Sequence, residues 1–188
     1  ELAQAGQMLA FEPPSFNAGA TLGGTVACGF SGARRPFTGS VRDFVLGCRI
    51  INGKAEVLSF GGEVIKNVAG YDVSRLMAGA LGTLGVLLEI SLKVLPLPEA
   101  ELTCCFELDA EKAFDRMTKL ANKALSISGL SYDGYRLYVR FSGAEKAVRA
   151  AAAQSGGDAV TGLGGVSSSR TRLASASFCA MSASMCRR

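Results

Sequence analysis

Apolar positions along this chain follow two rhythms that alternate several times. Val86–Leu95 interleaves apolar residues with Glu89, Ser91 and Lys93, the period of two that a half-buried strand requires. Phe44–Ile51 and Ala55–Phe60 are apolar-rich runs on either side of Asn52-Gly53, which predicts an antiparallel hairpin closed by a type I′ turn. Val73, Leu76 and Met77 are spaced as one helix face, so Asp72–Ala80 is expected to be a short helix ended by Gly79 and Gly82. Residues 1–10 read as the end of a helix closed by Pro13-Pro14, because proline cannot continue the hydrogen-bond ladder. Pro96 and Pro98 close this first region, expected as a domain over 1–98.

The second region repeats the alternation. Glu101–Leu108 reads as a strand, Ala110–Leu125 as an amphipathic helix, Leu130–Phe141 as a hairpin turning at Asp133-Gly134, and Ala144–Ala153 as a second helix. That β-α-β-β-α order begins a small α/β sandwich, expected over 99–165. From about Val166 the text becomes serine, alanine and arginine without period, and a disordered or aberrant tail over 166–188 is expected.

Composition narrows the function classes. Apolar residues make up 48% and charged ones 19% of the 188 positions, far from the disordered corner, so a real core is affordable. The longest candidate span, Val86–Leu97, is broken by Glu89 and Lys93, and no membrane-crossing helix is predicted. The N-terminal text has no basic segment leading into an apolar one, hence no sign of secretion. The net charge of +4 is scattered, without the basic stripe and aromatic platforms of nucleic-acid modules. Cysteines at 28, 48, 104, 105, 179 and 186 form no CxxC pair and histidine is absent, which argues against zinc or iron–sulfur ligation by this chain. Reduced thiols are expected, with Cys28 and Cys48 buried as small apolar groups.

Two glycine clusters carry the chemistry. One lies at 19, 23, 24, 29 and 32; the other at 61, 62, 70, 79, 82 and 85. Each glycine in a regular element costs roughly 0.5–1 kcal/mol relative to alanine, so the density suggests a surface that a flat or phosphate-bearing ligand approaches closely. Tight turns are the plain alternative. The order TLGG, SGARRPFTGSVRDFVLG, GGEVIKNVAGYD, GALGTLGVLLEISLK, from about Phe11 to Pro98, resembles the vanillyl-alcohol-oxidase/PCMH-type FAD-binding superfamily, and within it the FAD-binding subunits of bacterial glycolate oxidases. The resemblance implies an α+β fold: a PCMH-type FAD-binding α/β subdomain with an antiparallel-rich sheet, followed by part of a small α/β cap domain. It also implies FAD as cofactor, glycolate oxidised to glyoxylate, and a related catalytic flavoprotein subunit and an iron–sulfur subunit as partners. The implied location is the cytoplasm, with any attachment to the inner membrane made through the complex. That family grips the FAD pyrophosphate with an N-terminal glycine-rich loop that nothing here matches, so a chain truncated at its N-terminus is expected.

Candidate binding residues follow. Gly23, Gly24 and Thr25 stand where a loop enters the apolar stretch VACGF, and N–H groups at a helix start favour phosphate oxygens; Ser31 and Gly32 fit the same cradle from its far end. Arg34 and Arg35 offer forked donors to a pyrophosphate or a carboxylate, while Arg42-Asp43 is expected as an internal pair. The resemblance makes Gly82, Thr83, Leu84, Gly85 and Val86 a flavin-contacting turn. It puts Lys66, Asn67 and Tyr71 near the isoalloxazine, where Lys66 would stabilise a reduced ring or simply pair with Asp72. No catalytic residue and no metal ligand is singled out. Taking a hydroxyl proton near neutral pH is ordinarily histidine's work, and this chain has none. That favours an FAD-bearing electron-transfer role beside a catalytic subunit. Alternatives are a non-catalytic assembly subunit that does not retain FAD, or a flavin oxidoreductase of another alcohol or sugar nucleotide.

Overall fold

The computed structural model describes residues 1–14, 19–62 and 70–160. They form two compact units, dividing between Pro96 and Leu97. The predicted tail and the residues Lys66 and Asn67 lie outside the described residues.

In the first unit, Leu2–Ala5 makes one 3-10 turn that Gly6 ends in the left-handed region at φ 66°. The chain then enters β1 (Gln7–Met8), and the helix expected over 1–10 is corrected to a turn and a strand. Left-handed Gly6 cannot continue a helix, and the reversal it makes lets Met8 pair with Leu95 of β5 (Leu95–Pro96). Three short helices follow: α1 (Leu22–Cys28), α2 (Arg35–Thr38) and α3 (Val41–Phe44). β2 (Val45–Ile51) lies at the centre of an antiparallel sheet between β3 (Val57–Gly61) and β4 (Val86–Leu92), with α4 (Val73–Leu76) between the last two in sequence. Asp72 caps α4 by accepting from the Arg75 amide at 3.0 Å, and its carboxylate pairs with Arg75 at 3.3 Å.

The hairpin forms where expected but closes differently. Ile51 opposes Val57, and the loop between Asn52 and Glu56 has three residues, the last of them, Ala55, at φ 62°. This is a type I turn with a left-handed bulge residue in place of the type I′ Asn-Gly turn. The Asn52 side chain explains the choice: its carbonyl accepts from the amides of Lys54 and Glu56 at 2.9 and 3.0 Å, which holds Asn52 at the first position of the turn instead of at its centre.

Ala10, Phe11, Val26, Val41, Phe44 and Val45 pack into one core cluster, with the Phe11 and Phe44 rings 5.5 Å apart. Burying a phenylalanine side chain completely contributes about 1.5–3 kcal/mol. Cys48, Ile50 and Met77 make a second cluster against Phe60 and Leu87. Cys48 is buried as expected; Cys28, near the end of α1, is exposed, a correction. Asp43 is also corrected: it accepts from the Ser40 amide and hydroxyl at 2.8 and 2.9 Å, capping α3 instead of pairing with Arg42.

The second unit is a four-stranded antiparallel sheet ordered β7 (Ile127–Tyr132), β8 (Arg136–Gly143), β6 (Ala100–Glu107), β9 (Asp158–Val160), with α5 (Ala110–Ala121) and α6 (Glu145–Ser155). Leu137, Val139 and Phe141, all fully buried, stand opposite Phe106, Cys104 and Leu102, so one face of the β6–β8 pair contributes to the core. The Arg116 guanidinium lies 4.0 Å over the Phe106 ring.

Candidate functional site

Backbone hydrogen bonds bring the two glycine clusters together. The Gly79 amide donates to the Val26 carbonyl at 2.9 Å and the Leu81 amide to the Ala27 carbonyl at 2.8 Å, which clasps the turn before β4 onto the end of α1. Close approach is possible because both partners are glycine: a Cβ at Gly29 would come 3.2 Å from the Gly79 Cα. Gly85 completes the clasp at φ 151°, where a Cβ would meet the Ile51 carbonyl oxygen at 2.6 Å.

The clasp encloses a cavity of about 280 Å³ lined by Gly23, Gly24 and Ala27 on one wall and Met77, Gly82, Gly85, Val86 and Leu87 on the other. A second, of about 260 Å³, shares Thr21 and Gly24 with it and continues past Thr25, Cys28 and Phe30. Every lining side chain of both is uncharged. Of the predicted residues, Gly23, Gly24, Thr25, Gly82, Gly85 and Val86 are therefore gathered around one cleft. Thr83 stands beside it, its hydroxyl donating to the Ala80 carbonyl at 2.6 Å, and Leu84 is exposed.

Other candidates are placed elsewhere or occupied. The Ser31 hydroxyl accepts from the Val41 amide at 2.9 Å at the start of α3. Gly32 donates its amide to the Phe11 carbonyl at 2.8 Å, and a Cβ there would meet the Glu12 carbonyl oxygen at 2.5 Å, so the protein's own backbone requires this glycine. Arg34, 5% exposed, is bound to Glu12 through both its amide and its Nε at 3.1 and 3.3 Å. Tyr71 is 74% exposed and lines neither cavity.

Thr21 was missed by sequence reasoning and lines both cavities. Its backbone is extended and its hydroxyl accepts from the Gly24 amide at 3.0 Å, making it the N-cap of α1. A threonine just before an apolar run is a legible cap signal. The Gly24 and Thr25 amides both end on Thr21, on its hydroxyl and its carbonyl, so two of the donors expected to face phosphate are already taken.

Among the glycines that line the first cavity, Gly23 alone has neither a close neighbour nor a positive φ to explain it. It lies inside α1 in ordinary helical backbone, and a Cβ there would meet no atom within 4 Å. Alanine would fit and would favour the helix by roughly 0.8–1.0 kcal/mol. The missing methyl leaves room on the cleft wall, a space that suits the close approach of a flat ligand.

The second unit carries a larger groove, about 910 Å³, between Glu107, Asp109, Lys112, Asp133, Tyr135 and Arg136. Its charges satisfy one another: Lys112 bonds Asp109 at 2.6 Å and Arg136 bonds Glu107 at 2.8 Å. The Lys112 hydrogen bonds hold the Asp109 carboxyl below its usual range. Burial works against ionisation of Asp133, but the Tyr135 and Arg136 amides and the Tyr138 hydroxyl prevail and lower it. Burial, together with Asp109 and Asp133, pushes Tyr132 up, and burial with Asp133 pushes Tyr138 up; Lys112 is raised by Asp109. Burial raises the Cys48 thiol. Each of these shifts leads away from neutrality, opposite to what a general base needs.

The fold is that of the PCMH-type FAD-binding proteins. Residues 1–61 match the FAD binding domain family. The chain is similar to glycolate oxidase subunit GlcE of Escherichia coli (strain K12), 53% identical over 161 residues, covering 86% of this chain and 46% of that protein. It is also similar to glycolate oxidase subunit GlcD of Bacillus subtilis (strain 168), 37% identical over 83 residues, 44% of this chain and 18% of the relative. The chain thus spans less than half the length of these relatives. Among solved structures, alkyldihydroxyacetonephosphate synthase superposes with a TM-score of 0.66 at 20% identity, over 82% of this chain and 34% of that one.

Proposed function

We propose that this chain is part of the FAD-binding subunit of a glycolate oxidase, and that its cleft holds flavin while the proton chemistry on the substrate belongs to another subunit. The observation that carries the reading is Gly23, a helical glycine whose only evident purpose is the space it leaves on the cleft wall. Similarity to two glycolate oxidase subunits supports glycolate as the substrate, which the proposed oxidation would convert to glyoxylate. FAD would supply the two-electron redox step. The chain's own residues contribute shape: Gly23, Gly24, Gly82 and Gly85 admit a planar group, while Met77, Val86 and Leu87 cover it and exclude water. Lys66, Asn67 and Tyr71 remain part of the proposal as residues beside the ring.

Electron transfer, in place of direct substrate oxidation, is supported by the absence of histidine and by the direction of every resolved tyrosine and lysine shift. The partners proposed are a related catalytic flavoprotein subunit and an iron–sulfur subunit that passes electrons onward. Among the described residues no helix is long and apolar enough to cross a membrane. We place the protein in the cytoplasm, with contact to the inner membrane made through its complex.

An assembly subunit that does not retain FAD is the second reading, favoured by one observation: neither cavity has a cation to balance a diphosphate. Mixing the purified chain with FAD, removing the excess by gel filtration and recording the visible spectrum separates the two. Retained flavin bands support the first; a colourless chain, beside a GlcE-length protein that is also colourless, gives the second reading the lead.

A further inference from the structure

We propose that the outer edge of β3 is an interaction surface, and that its partner is the β3 edge of a second copy of this chain, paired antiparallel about a two-fold axis at Ser59. The inference is independent of the flavin reading, since no residue of β3 lines either cavity.

Among the described strands, β3 alone has an unguarded edge. It is an outer member of its sheet, and Val57–Gly61 pair with β2 without a register shift. None of these residues is charged or proline, and Val57, Leu58 and Ser59 are exposed. A regular, uncharged edge of this kind presents amides and carbonyls to any strand that can match them. The other outer strands are guarded or too short. β4 has two register shifts and carries exposed Glu89, and β7 is bulged between Ile127 and Gly129. β1 and β5 have two residues each, and β9 has three.

Hydrogen-bond parity and side-chain order select a second copy. The Asn52 amide donates to the Glu56 carbonyl at 3.0 Å, so Glu56 faces β2, and alternation turns the backbone groups of Val57 and Ser59 outward. Ser59 can therefore exchange N–H···O bonds with Ser59 of a two-fold-related strand. About that axis Leu58 falls opposite Phe60 of the second copy, Val57 opposite Gly61, and Glu56 opposite Gly62, so no like charges meet. Leu58 and Phe60 share the sheet face of Ile50 and Cys48, and Phe60 already packs against their cluster. The symmetric Leu58–Phe60 pairs would carry that cluster across the axis as an isologous contact. An edge contact this small suits a weak dimer, with a Kd on the order of 10 μM.

The test is sedimentation velocity of the full 188-residue chain from about 1 to about 200 μM, for wild type, Ser59→Lys and Ser59→Glu, the variants alone and mixed, with thermal melts of each. Only a two-fold pairing sets residue 59 against itself, where like charges repel and opposite charges attract. We expect wild type to pass from monomer to dimer across the range, and each variant alone to melt like wild type while dimerising roughly tenfold more weakly. The equimolar mixture should regain wild-type association or exceed it. Wild type that stays monomeric throughout, as when the edge serves a strand of a different protein, overturns the second-copy assignment. Dimers that both variants leave intact, or variants that are monomeric both alone and mixed, overturn the Ser59 axis. Amide exchange on wild type needs no substitution: the Ser59 amide should exchange about fivefold more slowly at the top of the range than at the bottom. Equal rates at both concentrations overturn the pairing.

Discussion

The Gly79 amide donates to the Val26 carbonyl at 2.9 Å, joining the turn that precedes β4 to the last turn of α1. Leu81 repeats the bond one step on, to Ala27. Gly29 lets the two backbones meet: it lies at φ 71°, and a Cβ would stand 3.2 Å from the Gly79 Cα. Replacing Gly29 by alanine is expected to cost about 1–2 kcal/mol from the left-handed backbone alone, plus the crowding of Gly79. The cleft wall should separate, so chemical denaturation should show the loss of stability and flavin titration a weaker ligand.

Gly23→Ala tests the site with opposite signs. Helix α1 should gain roughly 0.8–1.0 kcal/mol, because the methyl meets open space. Flavin affinity should fall, because that space is the ligand's. A melting temperature that rises together with unchanged flavin binding would show that Gly23 has no part in the cleft.

Ala55 occupies the left-handed bulge position of the β2–β3 loop at φ 62°. An L-residue there costs roughly 1–2 kcal/mol, while glycine makes the unfolded chain more costly to order by about 0.4–1 kcal/mol. The balance predicts that Ala55→Gly stabilises the protein by up to about 1.6 kcal/mol, measurable by urea denaturation. Flavin affinity should be unchanged, since Ala55 lines neither cavity.

Asp133 and Asp109 both have carboxyls held below their usual range in the folded chain. The folded state therefore binds these protons more weakly than the unfolded one. Their contribution is present above the ordinary aspartate value of about 3.9 and is lost as pH falls through the lower folded values. Unfolding experiments from pH 7 downward should show Asp133→Ala less stable than wild type by under about 1 kcal/mol at neutral pH, in keeping with exposed charges. That difference should shrink below about pH 3.9. A gap that is constant across the whole range would assign the effect to packing.

Local rules made much of this molecule readable. Asp72 was expected at the head of a short helix and caps it; the alternation over Val86–Leu95 marks β4, although the strand ends at Leu92. The hairpin after Phe44 was legible from its apolar runs, but its turn was not, because Asn52 used its side chain on Lys54 and Glu56. The N-terminal helix failed for a similar reason: Gly6 reverses the chain, and Met8 finds a partner at Leu95, far away in sequence. At the site, glycine spacing pointed to a cleft, yet it could not separate Gly32, which the Glu12 backbone demands, from Gly23, which nothing in the protein demands.

By itself the sequence determined where most strands and helices after Phe44 lie, that two glycine clusters belong to a close approach, and that no histidine is on hand as a base, since these follow from period, backbone freedom and composition. Only the tertiary structure decided which amides remain to meet a ligand, that the cleft is uncharged, and that Thr21 stands at the junction of its two cavities. Hydrogen bonds between residues more than fifty positions apart, as from Gly79 to Val26, set those outcomes, and local sequence carries no record of the partner each group will find.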